Sequence, residues 1–378
     1  MMTNPVYINS IARFLPGNPV SNDEMEQYLG FIGGDMRTKS KAIILRNNKI
    51  TTRYYAITRE GVSTHTNYQL AAEAVRSLKF PLQEVDLLTC GTTTPDQLLP
   101  SHAAMVHGEL NTKPVEIASF SGSCCSGVHA LKFAWMSIQT GQAKTAVTTG
   151  SEKLSTWMQA RNFKEEAEQL KQLEQTPILS FEKDFLRWML SDGAAAALLQ
   201  GTPNQQGISL RIEYIDSVSF ANEIETCMYA GAEKSEDGSL KGWLSFEQSE
   251  WLSKSVFSLK QDTRLLDKHI IRLGTKTIAD TFAKHGINHH EIDWFLPHIS
   301  SEFFRNKLAV QMEEHGIGIP QEKWFLNLTR VGNVGSASIL LALEELFNSG
   351  QLKKGQKIAM IIPESARFSY ANVLLTVC

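Results

Sequence analysis

The chain carries no surplus of charge: 37 basic and 40 acidic side chains leave a net charge of −3 over 378 residues. That balance gives no overall attraction to nucleic acid or to an anionic membrane. No apolar run approaches the ~18 residues of a membrane span. The opening, Met-Met-Thr-Asn-Pro-Val, has neither the basic nor the apolar stretch of a secretory signal. Cysteine is scarce, five in all, and the spacings match no metal site. An odd, scattered set of thiols suits a reducing compartment. No low-complexity segment interrupts the chain. The expectation is a soluble cytoplasmic protein with no nucleic-acid or membrane partner.

What is present is ordinary globular composition, 42% apolar and 20% charged. The length exceeds what one small domain usually holds, so two packed halves are expected. The most informative stretch is 114–141, Pro-Val-Glu-Ile-Ala-Ser-Phe-Ser-Gly-Ser-Cys124-Cys125-Ser-Gly, then an apolar run to Gly141. It reads as a strand, a small-residue turn and a helix. Val128, Leu131, Trp135 and Ile138 recur at helical spacing and supply one apolar face. A cysteine at such a helix start lies beside unpaired N–H groups and the positive end of the dipole, which favours thiolate. The alternative for either cysteine is a buried core residue.

Along the chain, 6–15 reads as a strand, 21–30 as a short capped helix and 50–57 as β-rich. Helices are expected at 67–79 and 101–110, and strands at 85–89 and 145–149. The charged and aromatic stretch 155–190 reads as a helical insertion or lid, followed by a turn and buried strand at 192–199. The second half repeats the first. A helix leading into Val85-Asp86-Leu-Leu-Thr-Cys90 has its counterpart in a helix leading into Ile292-Asp293-Trp-Phe-Leu-Pro297-His298. Cys-Cys-Ser-Gly before an apolar helix and Gly141-Gln142-Ala143 corresponds to Asn333-Val-Gly-Ser before an apolar helix and Gly350-Gln351-Leu352. Two αβ units in the same order predict an internal duplication, with halves 1–200 and 201–378. Cys125, His298 and Asn333 then fall at matching strand ends and helix starts, where α/β folds place ligands. Taken singly, His298 reads equally as a satisfied core histidine and Asn333 as a helix cap.

Together, Cys125-Ser-Gly, Asp293-Trp-Phe-Leu-Pro-His298 and Gly332-Asn333-Val-Gly-Ser-Ala-Ser resemble the Cys, His and Asn motifs of the β-ketoacyl-acyl carrier protein synthase III family. Asn48-Lys49-Ile50-Thr-Thr-Arg53, Gly150-Ser151-Glu152 and Ser191-Asp192-Gly193-Ala194 support the likeness, which covers nearly the whole chain. The resemblance implies a thiolase-like α/β fold in α-β-α-β-α layers from two duplicated halves, and a homodimer. It implies a Claisen condensation of acyl thioesters, delivered by acyl carrier protein or coenzyme A, with no bound cofactor or metal. Cys125 is the implied nucleophile in preference to Cys124, with its N–H in the oxyanion hole. His298 and Asn333 are the implied enolate stabilisers. A cysteine-dependent thioester hydrolase or acyltransferase is the alternative chemistry.

Two departures stand out. Ile299-Ser300-Ser301 replaces the family's usual Gln-Ala-Asn, and Pro363-Glu364-Ser365-Ala366-Arg367-Phe368 replaces its glycine-rich loop. They mark a specialised relative, and Pro19–Glu26, Leu45-Arg46-Asn-Asn and Arg53-Tyr-Tyr55 resemble ketosynthases of the dialkylresorcinol or flexirubin type. Lys260, Arg264, Lys268, Arg272 and Lys276, four residues apart, predict a basic helical stripe suited to an acidic carrier.

Overall fold

The computed structural model describes residues 4–32, 39–166, 168 and 185–378. Buried strands read as apolar runs because both of their faces are covered. Nine strands, β3 among them exposed, build one mixed sheet: β1 Tyr7–Phe14, β2 Leu87–Thr92, β3 Glu116–Ser121, β4 Thr145–Glu152, β5 Gly193–Gln200, β6 Leu210–Ser219, β7 Trp294–Pro297, β8 Lys357–Glu364 and β9 Ser369–Val377. Their order is β7-β8-β9-β6-β1-β5-β4-β2-β3.

That order is a repeat. From the centre outward, β1-β5-β4-β2-β3 is matched by β6-β9-β8-β7 and then by a single parallel bridge between Phe295 and Trp324. The strand senses match too. β2 and β4 are parallel, as are β7 and β8, whereas β4–β5 and β8–β9 are antiparallel. β1 meets β6 only at Tyr7–Arg211 and Ile8–Leu210.

Six of the helices complete the layers: α1 Asn67–Ser77, α2 His102–Leu110, α3 Ser126–Gln139, α4 Thr263–His285, α5 Phe303–Glu314 and α6 Ser338–Phe347. The alternation of side chains along each strand assigns them to layers. On β5, Ala195, Ala197 and Leu199 share a core with Val128, Leu131 and Ile138 of α3 and with Leu340 and Leu343 of α6. Ile358, Met360 and Ile362 of β8 join that same core, so α3 and α6 lie between the two halves of the sheet. The intervening Ala194, Ala196 and Leu198 face α1 and α2. Ala359 and Ile361 face α4 and α5 through Ile278, Phe282, Leu308 and Met312. The result is five layers, α-β-α-β-α.

Local signals explain most element ends. Thr66 and Gln69 form a reciprocal capping box at α1. Asp262 caps α4, and Gly286 ends it in the left-handed region. Other expectations need correction. The 21–30 helix is only Met25–Leu29, because Ser21 pairs in a two-residue strand with Thr52. The 50–57 segment is extended over Thr52–Arg53 alone; its remaining backbone is satisfied by contacts such as Ala56 N–H to Asp192 Oδ2 and Thr51 N–H to Thr329 O. Part of the expected lid, residues 167 and 169–184, lies outside the described residues. Lys260 is not on α4: it is buried in the strand Lys260–Gln261 and paired with Glu233. Arg264, Lys268, Arg272 and Lys276 do stand exposed on α4.

Candidate active site

The sheet brings the two expected turns together. α3 begins one residue after Cys125, and the 3-10 turn Gly335–Ala337 leads from Asn333 into α6. The two helix starts pack back to back. A Cβ on Gly127 would stand 2.3 Å from the carbonyl oxygen of Ser336, so no larger residue fits there. Gly335 has φ +48°, and a Cβ on it would meet the Glu152 carboxylate at 2.9 Å.

Asn333 is held from both sides. Its N–H donates to Met189 O and its carbonyl accepts from Ser191 N–H, both at 2.9 Å. Its side-chain Oδ1 accepts from Gly335 N–H at 3.0 Å and from the Ser338 hydroxyl at 3.2 Å. The oxygen is thus committed to the turn, which leaves the amide NH2 as the donor on the cavity side. His298 follows β7, and its backbone N–H donates to Ile361 O at 2.8 Å. Burial lowers the His298 pKa to about 4, so its imidazole is neutral at physiological pH.

His298, Asn333 and Cys124 line one cavity of about 810 Å³, part of it open to solvent. Apolar side chains make up much of the wall, among them Leu154, Leu186 and Leu190 beside the expected lid and Leu259, Leu266, Ile270 and Phe304 from the second half. Thr93, Ser123, Gln261, Ser300 and Ser365 are its other polar members, and the Ser123 hydroxyl lies 3.7 Å from the Cys124 thiol. The cavity can bury a long aliphatic chain while presenting a thiol and two neutral donors.

Cys125 is not on this wall. It is fully buried, packs in the central core and donates its thiol to Ile362 O at 3.2 Å. Its backbone N–H is taken by the Glu364 carboxylate, also at 3.2 Å. The expected nucleophile at Cys125 thus lies in the core, and its N–H, the expected oxyanion donor, is occupied by Glu364. Consecutive residues entering a helix point about 100° apart, and Cys124 is the one that faces His298 and Asn333. Neither thiol is biased toward thiolate. Burial first, and the nearby charge of Glu364 second, push Cys124 up to about 12 and Cys125 well above its ordinary value.

Two carboxylates frame the site from matching positions. Glu152 ends β4 and Glu364 ends β8, its counterpart in the other half. Glu152 is fully buried and accepts from Thr93 N–H and hydroxyl, Thr94 hydroxyl and Ser336 N–H. Glu364 Oε2 accepts from Ser123 N–H and Cys125 N–H, both at 3.2 Å. Burial raises both carboxyl pKa values against these hydrogen bonds. Sequence reasoning missed Glu364, seeing only a lost glycine loop. The left-handed residue of that turn is Phe368, at φ +57°, fully buried.

With the geometry established, two family profiles match. "Beta-ketoacyl synthase, N-terminal domain" covers residues 42–204. "3-Oxoacyl-[acyl-carrier-protein (ACP)] synthase III C terminal" covers residues 282–365. The β-ketoacyl-[acyl-carrier-protein] synthase III of Aquifex aeolicus is 26% identical over 347 residues, 92% of each chain. That of Xanthomonas campestris pv. campestris (strain 8004) is 22% identical over 378 residues, 99% of each chain. Among solved structures, the tetronic acid condensing enzyme AbyA1 superposes with a TM-score of 0.74 at 19% identity, covering 98% of this chain and 99% of its own. Xanthomonas campestris OleA, solved with lauric acid and lauroyl-CoA, gives 0.72 at 19% identity over 100% of both chains. These likenesses establish the thiolase-like layered fold.

Proposed function

Starting from a chain that belongs to the β-ketoacyl-[acyl-carrier-protein] synthase III family of condensing enzymes, we propose that Cys124, His298 and Asn333 carry its reaction. The protein is an acyltransferase that joins acyl thioesters by Claisen-type condensation through an acyl-cysteine. The observation that supports the residue assignment is the convergence of these three side chains on one apolar cavity. Cys124 takes the first acyl group, whose chain lies among the leucines. Neutral His298 and the Asn333 NH2 donate to the second thioester's carbonyl, where negative charge develops as the enolate forms. Acyl carrier protein is the acyl-delivering partner, and the reaction draws on no cofactor beyond the thioesters.

The finer reading follows from this one. The halves divide near residue 200, as 1–200 and 201–378. The donor is a β-ketoacyl thioester, as in the dialkylresorcinol branch, a reading supported by Ile299-Ser300-Ser301 beside His298 and by Pro363–Phe368 in place of the glycine-rich loop. The exposed edge strand β3, with Ile117 on its surface, supports a homodimer paired along that edge. The odd, scattered set of five cysteines supports a cytoplasmic setting.

The test is intact-protein mass spectrometry with a panel of acyl thioesters, followed by peptide mapping. An adduct on Cys124 that vanishes in Cys124→Ala is expected; an adduct that survives there on Cys125 overturns the assignment. Carbon dioxide release, measured alongside product mass, separates malonyl from β-ketoacyl donors.

A further inference from the structure

Glu152 and Glu364 occupy equivalent strand ends, yet their hydrogen bonding differs. Each oxygen of Glu152 has donors, supplied by Thr93, Thr94 and Ser336. Such a carboxylate is a pin. Glu364 uses one oxygen, Oε2, on two backbone N–H groups. Among the described residues, Oε1 receives no hydrogen bond and no cation pairs with the carboxylate. The two N–H groups belong to Ser123 and Cys125, the residues on either side of Cys124, so the carboxylate is anchored beside the Cys124 turn. The Cys125 proton is engaged elsewhere, on Ile362 O.

We propose that Glu364 is the proton acceptor for the Cys124 thiol and returns that proton to the departing thiol. The inference rests on Cys124 being the acylated residue. The step balances without a further reagent. Glu364 carboxylate removes the S–H proton and becomes a carboxylic acid. The Cys124 sulfur forms a bond to the thioester carbonyl carbon. The tetrahedral intermediate collapses, its bond to the carrier or coenzyme A sulfur breaks, and that sulfur takes the proton from Glu364. The products are acyl-Cys124 and a free thiol, with Glu364 again ionised.

The surroundings favour one negative charge over two. The titratable groups at this turn are Cys124 and Cys125, on which the Glu364 charge acts, Glu152, whose charge also acts on Cys124, and Tyr370 on β9, across from Pro363; His298 lines the same cavity. Burial holds His298 neutral and holds Tyr370 protonated. The charge of Glu364 is one cause of the raised Cys124 pKa, which is the mutual repulsion that a shared proton relieves. The thiolate–acid and thiol–carboxylate forms carry the same number of protons, so their balance does not change with pH. Acylation therefore stays flat once Glu364 is ionised, although the thiol alone would not titrate until far higher pH.

The experiment is single-turnover acylation of the full chain by a saturating acyl-coenzyme A, followed by mass spectrometry of the Cys124 peptide between pH 7 and 9. A flat rate is expected for the wild type. A rise of about tenfold per pH unit, the behaviour of an unassisted thiol, overturns the proposal and needs no variant. Glu364→Gln, which keeps a hydrogen-bond acceptor for both N–H groups, is expected to lower the rate at pH 7 at least tenfold and to restore the steep slope. A Glu364→Gln rate that stays flat and unchanged also overturns it. Failure of the acyl-Cys124 reading looks different: no adduct forms on Cys124 at any pH.

Discussion

The two helix starts that meet in the cavity are variations on one piece of structure. Each opens onto the same cavity, and each receives a carboxylate from the opposite half: Glu152 reaches Ser336, and Glu364 reaches Ser123 and Cys125. The difference lies in what is left unspent. At the Asn333 start, the carboxylate, the side-chain oxygen and the backbone are all committed. That start is a rigid mount for one neutral donor. At the Cys124 start, the thiol meets only the Ser123 hydroxyl at 3.7 Å, and one carboxylate oxygen of Glu364 receives no hydrogen bond among the described residues. Duplication supplied two equivalent frames; the chemistry came from leaving one of them incomplete.

The sharpest way to break this comparison is at the adjacent thiols. Cys124→Ala should abolish acylation, seen as loss of the adduct mass. Cys125→Ala should keep the adduct and cost about 1–2 kcal/mol in urea unfolding, because it removes buried volume and a bond to Ile362 O. Equal loss of acylation in both variants would end the distinction. Next in size are the neutral donors. His298→Ala should lower condensation about 10²–10³-fold while acylation of Cys124 stays within a few-fold. Asn333→Asp retains the oxygen that holds Gly335 and Ser338 but removes the NH2 donor, so it should lose condensation without losing the fold. Thermal unfolding alongside product formation separates the two effects.

Much of this was legible in the sequence. The duplication could be read because both faces of the sheet are covered, so its strands are unbroken apolar runs flanked by Gly and Asp. His298 and Asn333 were legible as punctuation at the ends of such runs. The choice between two neighbouring cysteines rests, in the sequence, on the Ser-Gly that follows, whereas the apolar stripe sorts them by burial. Cys125 lies three residues before Val128 and six before Leu131, in phase with the buried face of α3; Cys124 is about 100° off it. Glu364 was obscured because the turn after β8 was read as a missing glycine loop rather than as the end of a strand. Lys260 shows a different limit. Its four-residue spacing fits the stripe, but Asp262 starts the helix after it, and Glu233, which pairs with it, is brought close only by tertiary packing.

The carboxylates themselves give the third contrast. Glu152→Gln replaces an all-acceptor group, fully buried among four donors, with one that carries an NH2 facing hydroxyls and N–H groups. A loss of about 2–3 kcal/mol is expected, the cost of leaving a buried polar partner unmatched. Glu364→Gln should cost less than about 1 kcal/mol, since its one used oxygen is matched by the amide carbonyl. Urea unfolding of the two variants side by side is the measurement, and a larger loss for Glu364→Gln would contradict the assignment of pin and acid–base group.

The smallest expected effect sharpens the comparison at the outer layers. α1 and α4 hold equivalent positions, one on each half of the sheet, but their surfaces differ. α4 is 23 residues long and shows Arg264, Lys268, Arg272 and Lys276 to solvent, whereas Arg76 on α1 is tied to Glu73 and Glu109. A 4-residue step overshoots the helical turn, so the α4 charges wind slowly along one side of the helix. Lys276 is partly spent on Asp280, which leaves the stripe strongest toward its N-terminal end, near the cavity-lining residues Leu266 and Ile270. An acidic carrier drawn to that end would bring its thioester toward the cavity. Arg264→Glu with Lys268→Glu should weaken carrier binding several-fold at low salt and flatten its salt dependence, with acylation from coenzyme A thioesters unchanged. Arg76→Glu is the control and should alter neither. Carrier affinity that ignores the α4 reversal, or that falls equally with Arg76→Glu, would remove the asymmetry between the halves as a docking device.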